Sequence, residues 1–185
     1  MSDRTRSEPD VELLDQCRAG NREALGRLFD CLKDRVYSTA LHICGDRSMA
    51  ADVTQDVFIK VFARLSQFDG TSAFTTWLYR IVVNTAIDHR RASTRTLPLE
   101  DAMADSPAPL IDPYARLERR RRIEAALLGL PENLRVPVVL RHIQGLSYTE
   151  IAEALEISAG TVASRLSRAH ARLARDLADL APEAS

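Results

Sequence analysis

Apolar positions recur at helical spacing along most of the chain. Val11, Leu13 and Leu14 open a short helix that should stop at Ala19-Gly20, where Gly20 can take a left-handed conformation and Asn21 can cap the next helix. That second helix is expected from about Arg22 to Ile43, with Leu25, Leu28, Phe29, Leu32, Val36 and Ala40 on one face and Cys44-Gly45-Asp46 closing it. A third is expected from about Met49 to Leu65, with Val53, Val57, Val61 and Phe62 as its apolar stripe and Asp52, Gln55, Asp56 and Lys60 on another face. After the loop Phe68-Asp69-Gly70-Thr71-Ser72, a fourth covers Ala73 to about His89, burying Trp77, Leu78, Ile81, Val82 and Ile87. Four helices with short joints make a compact bundle.

The pattern fails from Ser93 to Pro113, which holds Pro98, Pro107, Pro109 and Pro113, and the segment 96–115 has four acidic residues and no basic one. An acidic extended linker is the reading. It divides an all-α chain into a domain over 10–93, a linker over 94–113 and a second domain of four short helices over 114–180. Asp112-Pro113 reads as a cap with Pro at the first helical position, starting a helix through Ala126, and Leu130-Pro131 repeats the device.

In the second domain, Ser147-Tyr148-Thr149-Glu150 has the spacing of a capping box. The helix it starts should turn Ile151, Ala152 and Leu155 inward, with Ala152 small where two helices meet. After a Glu156-Ile157 turn, Ser158 can cap a helix beginning near Gly160 that buries Val162, Leu166, Ala169, Leu173 and Leu177. Short helix, turn, longer helix is the unit that docks in the major groove. Its other face bears Arg165, Arg168, Arg172 and Arg175 at three- and four-residue steps, with Thr161, Ser164 and Ser167 near its start. Hydroxyls and guanidinium forks at that end suit base edges, and the flanks suit phosphates.

Composition changes the picture little. The chain has 185 residues and a net charge of −1, an average of unlike segments that hides this basic stripe. No run approaches the roughly 18 apolar residues of a membrane span, and the segment MSDRTRSEPD offers no apolar core for a secretion signal, so the cytoplasm is the expected compartment. Cys17, Cys31 and Cys44 have no paired spacing, and we expect buried or half-buried thiols. His42 and Cys44 lack a second pair of ligands, and there is no phosphate-binding glycine loop and no nucleophile with a visible base. No catalytic residue, metal site or cofactor is expected, and the chain is not read as an enzyme.

The segments Leu130-Pro131-Glu132, Gly145-Leu146-Ser147-Tyr148-Thr149-Glu150-Ile151-Ala152 and Gly160-Thr161-Val162-Ala163-Ser164-Arg165-Leu166-Ser167-Arg168-Ala169 resemble domain 4 of the extracytoplasmic-function (ECF) sigma factors. Asp52-Val53-Thr54-Gln55-Asp56-Val57-Phe58 resembles the helix of sigma domain 2 that docks on the clamp coiled coil of core RNA polymerase. Phe74-Thr75-Thr76-Trp77-Leu78-Tyr79-Arg80-Ile81 and Asn84 resemble the part that opens the −10 element. The resemblance runs from about Val11 to Leu177.

It implies −35 reading by Ser158, Thr161, Ser164, Arg165, Ser167, Arg168 and Arg172. It implies −10 recognition by Phe68, Asp69, Gly70, Thr71, Ser72, Arg80, Asn84 and Asp88, and polymerase binding by Asp52, Gln55, Asp56, Phe58 and Lys60. Core RNA polymerase, promoter DNA and an anti-sigma factor are the implied partners of a chain expected to be monomeric when free. Six of the ten aromatic residues fall between Phe58 and Tyr79. Among them Phe58, Phe62 and Trp77 are assigned to the core rather than to base stacking. Ala163 and His170 stand where the family commonly carries Lys or Arg and Arg, which loosens the inference about −35 preference. The other reading of the helix-turn-helix is a stand-alone regulator whose first domain senses a ligand or dimerises.

Overall fold

The computed structural model describes residues 8–94 and 113–180. Helix α1 spans Val11–Arg18, α2 Arg22–Cys44, α3 Arg47–Arg64 and α4 Phe74–Thr94, with a short 3-10 turn at Leu65–Gln67. Helix α5 spans Pro113–Leu128, α6 Glu132–Val138, α7 Tyr148–Leu155 and α8 Ala159–Asp176, and a π turn at Val139–Ile143 follows α6. Every element among the described residues is helical. The linker expected over 94–113 lies, from 95 to 112, outside the described residues.

Local chemistry sets the boundaries. Gly20 takes φ +79°, and the Asn21 side chain accepts from the amides of Glu23 and Ala24, which fixes the α1–α2 joint as the pattern predicts. Helix α3 starts two residues earlier than expected because Asp46 accepts from the Met49 amide at 2.6 Å. Gly45, also at φ +79°, closes α2, and a Cβ there would lie 2.9 Å from a Leu128 methyl. Only glycine lets the two halves of the chain approach at this point. Helix α4 runs five residues beyond the expected end at His89, since Arg90 to Thr94 contain no breaker and Pro98 comes later. Pro131 sits at the cap of α6 and not inside its first turn.

Leu28, Leu32, Val36 and Ile43 of α2, Val53, Val57 and Val61 of α3, and Leu78 and Val82 of α4 form the core of the first half, all essentially without exposure. Two residues assigned to that stripe point outward instead: Phe29 is 38% exposed and Phe62 is 36% exposed. A helix of 3.6 residues per turn carries positions at the edge of a wide stripe to the rim of the contact, where neither helix covers them. Cys17 is buried and Cys44 half-buried as expected, but Cys31 is exposed.

The second half packs on the first. Helix α4 lies against α7, and α2 against the π turn, α5 and α6. The contact is polar at its centre, where the Tyr79 hydroxyl donates to Gln144 Oε1 at 2.6 Å with both residues buried. Arg90 meets Glu132 at 3.3 Å, and the buried Arg135 donates to the Leu128 carbonyl at 3.0 Å. Burial holds the Arg135 guanidinium down, to a pKa of about 10.

Candidate nucleic-acid interface

The helix-turn-helix is built as the spacing implies. Ser147 Oγ accepts from the Glu150 amide at 3.2 Å, and the Ser147 amide donates to the Glu150 carboxylate at 2.6 Å, completing the capping box. Ala154, rather than Ala152, is the fully buried alanine of α7, and Ala152 lies half-buried at the edge. The turn between α7 and α8 is sharp because Glu156 holds a left-handed backbone at φ 55° and ψ 42°. A non-glycine residue there costs about 1 kcal/mol, which the surrounding hydrogen bonds must offset. Ser158 then caps α8 through the Thr161 amide at 3.1 Å.

On α8 the apolar side, Val162, Leu166 and Ala169, is fully buried, while Leu173 and Leu177 are half-buried. The opposite side presents Ala163, Ser164, Ser167, Arg168, Arg172 and Arg175 to solvent, with Thr161 and Arg165 half-buried beside them. Arg168 Nε rests on the Ser164 carbonyl at 3.2 Å, and Ser164 Oγ donates to the Thr161 carbonyl at 3.0 Å. Such i to i−3 and i to i−4 contacts hold the side chains along the helix at little cost, so base edges can compete for them. The cationic stripe is therefore accessible, with Arg172 drawn only weakly to Asp176 at 3.9 Å.

The second cluster surrounds the loop after the Leu65–Gln67 turn. Gln67, Phe68, Asp69, Thr71, Ser72, Trp77 and Arg80 line an open cleft of about 440 Å³, whose remaining wall is Glu153 of α7. Phe68 turns its ring inward, edge-on to Phe74 and beside Trp77, both at 5.4 Å between centroids, under the Arg18 guanidinium at 5.5 Å. Its carbonyl accepts from Arg18 Nη2 at 2.7 Å. The residue thus anchors the loop and offers a ring at the floor of the cleft rather than a free stacking platform. Asp69 folds over Thr71, accepting from its amide and hydroxyl, and these bonds hold the carboxyl below the usual aspartate range. The Glu8 carboxylate accepts from the amide and hydroxyl of Thr75, tying the start of α4 to the chain ahead of α1.

Asn84 and Asp88 are exposed on α4, one turn apart. Arg80 is not free in this arrangement: Nη2 donates to the Glu153 carbonyl at 2.9 Å and Nη1 lies 3.5 Å from the Glu156 carboxylate. Glu153 and Glu156 are residues at this site that the sequence pattern did not reveal. They come from the other half of the chain, and no local spacing signals such a contact.

The third cluster lies on α3. Asp52 and Gln55 are exposed, whereas Asp56 accepts from or pairs with His89 Nε2 at 2.8 Å and Lys60 donates to Thr85 at 2.9 Å. Two residues of this face therefore bind α3 to α4. Phe58 is buried to 3% exposure, which agrees with its assignment to the core and leaves it no direct surface for a partner. It supports one: Phe29 and Phe62 flank it at 4.6 and 5.8 Å between centroids, and both rings reach the surface. Ile59 beside them is 59% exposed. The face joins exposed acid and amide groups with an apolar strip, a combination that suits a protein partner.

Among the described residues no helix is long and apolar enough to cross a membrane, and no cluster of three or more His, Cys, Asp or Glu side chains is poised to hold a metal ion.

Comparison with known proteins joins these surfaces. Residues 28–96 match the family model Sigma-70 region 2 and residues 120–173 match Sigma-70, region 4. The chain is 35% identical to the RNA polymerase sigma-H factor of Pseudomonas aeruginosa, over 96% of this chain and 98% of that one. It is 33% identical to the ECF RNA polymerase sigma factor SigW of Bacillus subtilis, covering 89% and 95% respectively. Among solved structures it is similar to CnrH in complex with the cytosolic domain of CnrY, with a TM-score of 0.70, 29% identity and coverage of 92% and 97%. The sigma factor RpoE of Bartonella quintana, solved with the anti-sigma factor NepR, shares the fold at a TM-score of 0.70 and 23% identity, covering 83% of this chain and 96% of that one. With both signature regions present in order, and end-to-end similarity to factors of this kind, the chain belongs to the ECF group of sigma-70 family RNA polymerase sigma factors.

Proposed function

We propose that this sigma factor reads the −35 element with Ser158, Thr161, Ser164, Arg165, Ser167, Arg168 and Arg172, and melts the −10 element at the cleft formed by residues 68–72 with Arg80, Asn84 and Asp88. The observation that carries the reading is the solvent-facing row of hydroxyl and guanidinium groups on α8, opposite a fully buried Val162, Leu166 and Ala169. Hydrogen-bonding forks at the start of a helix distinguish base edges, and the later cations Arg172 and Arg175 suit phosphates.

Two domains divide this work: residues 10–93 hold the polymerase and the −10 strand, residues 114–180 read −35, and residues 94–113 link them. Single-stranded DNA held out of its stack needs a polar pocket near positive charge. The cleft beside Arg80 has both, with the Asn84 amide exposed on the same helix. Because Glu153 walls the cleft and Arg80 is engaged by α7, use of this site requires α7 to leave α4.

Core polymerase docks on α3 through Asp52 and Gln55, with Asp56 and Lys60 holding that helix in place and the Phe29–Phe62 strip adding apolar area. Acidic residues meeting a basic partner raise the rate of encounter, an effect that weakens as salt rises. The factor acts in the cytoplasm, where promoter and polymerase are, and contributes binding rather than chemistry of its own. An anti-sigma protein is the further partner we assign to it, and the CnrH–CnrY complex offers a template for how such a chain would be held.

Electrophoretic shift with core enzyme and a promoter duplex tests the reading. Arg168→Ala should lower affinity for the −35 duplex, and an unchanged footprint would remove that contact.

A further inference from the structure

The π turn after α6 and the recognition helix meet through two histidines. His142 Nε2 lies 2.9 Å from His170 Nε2, with the ring centroids 5.0 Å apart and the ring planes at 62°. Both side chains are exposed. The contact is a single N–H donated from one imidazole to the lone pair of the other, which brings two ligand-type nitrogens together. Neither the −35 reading nor the fold uses that contact.

We propose that His142 and His170 form a binding site for one divalent transition-metal ion, Cu2+ in preference to Ni2+ and Zn2+, which takes the place of their shared hydrogen bond and ties the π turn to α8. The 2.9 Å separation is that of an ordinary N–H···N hydrogen bond, and an ion about 2.0–2.1 Å from each nitrogen takes the place of that bond. The affinity of nitrogen ligands for divalent ions peaks at Cu2+, which sets the preference. The ring that donates through Nε2 moves its proton to Nδ1 on binding, so two neutral imidazoles become two ligands with no net proton release.

Arg141 does not occupy the site: its guanidinium donates to the Leu146 carbonyl at 2.9 Å and stands over the Tyr148 ring at 5.5 Å. No cluster of three or more ligand-type side chains exists among the described residues, so water completes the coordination and the ion exchanges readily. Such a site clamps the helix-turn-helix without enclosing the metal.

The test is titration of the full chain carrying Cys31→Ser, with no reductant present, with NiCl2, CuCl2 and ZnCl2 separately, followed by calorimetry and by NMR of the four histidine rings. One Cu2+ per chain is expected to bind, more tightly than Ni2+ or Zn2+, to broaden the His142 and His170 resonances before those of His42 and His89, and to raise the melting temperature. His142→Gln and His170→Gln should each abolish these effects while the circular dichroism stays helical. Binding that survives both substitutions, broadening of His42 or His89 instead, or no binding by any of the three ions would overturn the proposal. Should either glutamine variant fail to fold, the ring broadening in the chain that keeps both histidines still decides the outcome.

Discussion

The Tyr79 hydroxyl donates to Gln144 Oε1 at 2.6 Å, so a buried side-chain hydrogen bond joins residues 65 positions apart and fastens the region 2 half of the chain to the region 4 half. It outweighs the neighbouring ion pairs in energetic consequence. Arg80–Glu156, with 39% and 72% of the side chains exposed, is screened by water, whereas taking the acceptor from the buried Tyr79 hydroxyl costs about 1–3 kcal/mol. Gln144→Leu should therefore loosen the closed arrangement and increase the separation of labels placed on α4 and α8. The double variant with Tyr79→Phe, in which the hydroxyl that Gln144 serves is gone while Arg35 loses its contact with it, should recover part of the loss. Equal opening in the single and double variants would show that the hydrogen bond is not what holds the halves.

Arg168→Ala removes an exposed cation whose Nε donates to the Ser164 carbonyl of its own helix. Binding to a −35 duplex should weaken by about 1–3 kcal/mol if Arg168 reads a base. If it meets a phosphate, the slope of log affinity against log salt should fall by about one. Titration at several salt concentrations separates the two contacts, and no change in either quantity would exclude Arg168 from the interface.

Asp52→Ala is the clean probe of polymerase docking, because Asp52 is exposed and lies outside the ion pair with His89. Competition for core enzyme should weaken with thermal stability unchanged. Asp56→Ala should do the same and also lower stability slightly, since it strips His89 of its partner across α3 and α4. Undiminished competition by both variants would refute the docking face.

Asn84→Ala should spare duplex binding and slow promoter opening. A fluorescent base analogue in the −10 element reports the rate, and an unaltered rise in fluorescence would take Asn84 out of the opening step.

The cysteines differ enough to be told apart by alkylation. Burial pushes the Cys44 thiol up to about 11, so at pH 8 only about a thousandth of it is thiolate, while Cys31 is exposed. Iodoacetamide should label Cys31 first and Cys44 slowly, as mass spectrometry can follow. The sign for stability follows from the same shift: the unfolded thiol ionises first, so this group costs nothing below about pH 9 and destabilises the fold as pH rises toward 11. Equal labelling rates would mean that Cys44 is more open than its surroundings imply.

The helix joints were legible in sequence where the chemistry is local. Asn21, the Ser147–Glu150 box and Ser158 act within three residues of their targets, and each caps as its spacing implies. Pattern reading failed at the rim of the core, at Phe29 and Phe62, because periodicity gives direction but not how far a neighbouring helix extends. It missed the π turn, where Pro137 has no amide to donate and the next residues widen the helix. For the candidate site, the α8 surface could be read from one helix alone. The partners of Arg80 could not, since Glu153 and Glu156 lie more than seventy residues away and only the packing of α7 on α4 brings them there.

Run-off transcription on a genomic promoter library, with mapped start sites, tests the two-contact reading most directly. The expected result is discrete starts only when core polymerase and this chain are both present, with upstream elements lost as determinants when Arg168 is replaced by alanine. Stable binding to a palindromic duplex without core polymerase, together with no new transcript when core is added, would contradict it.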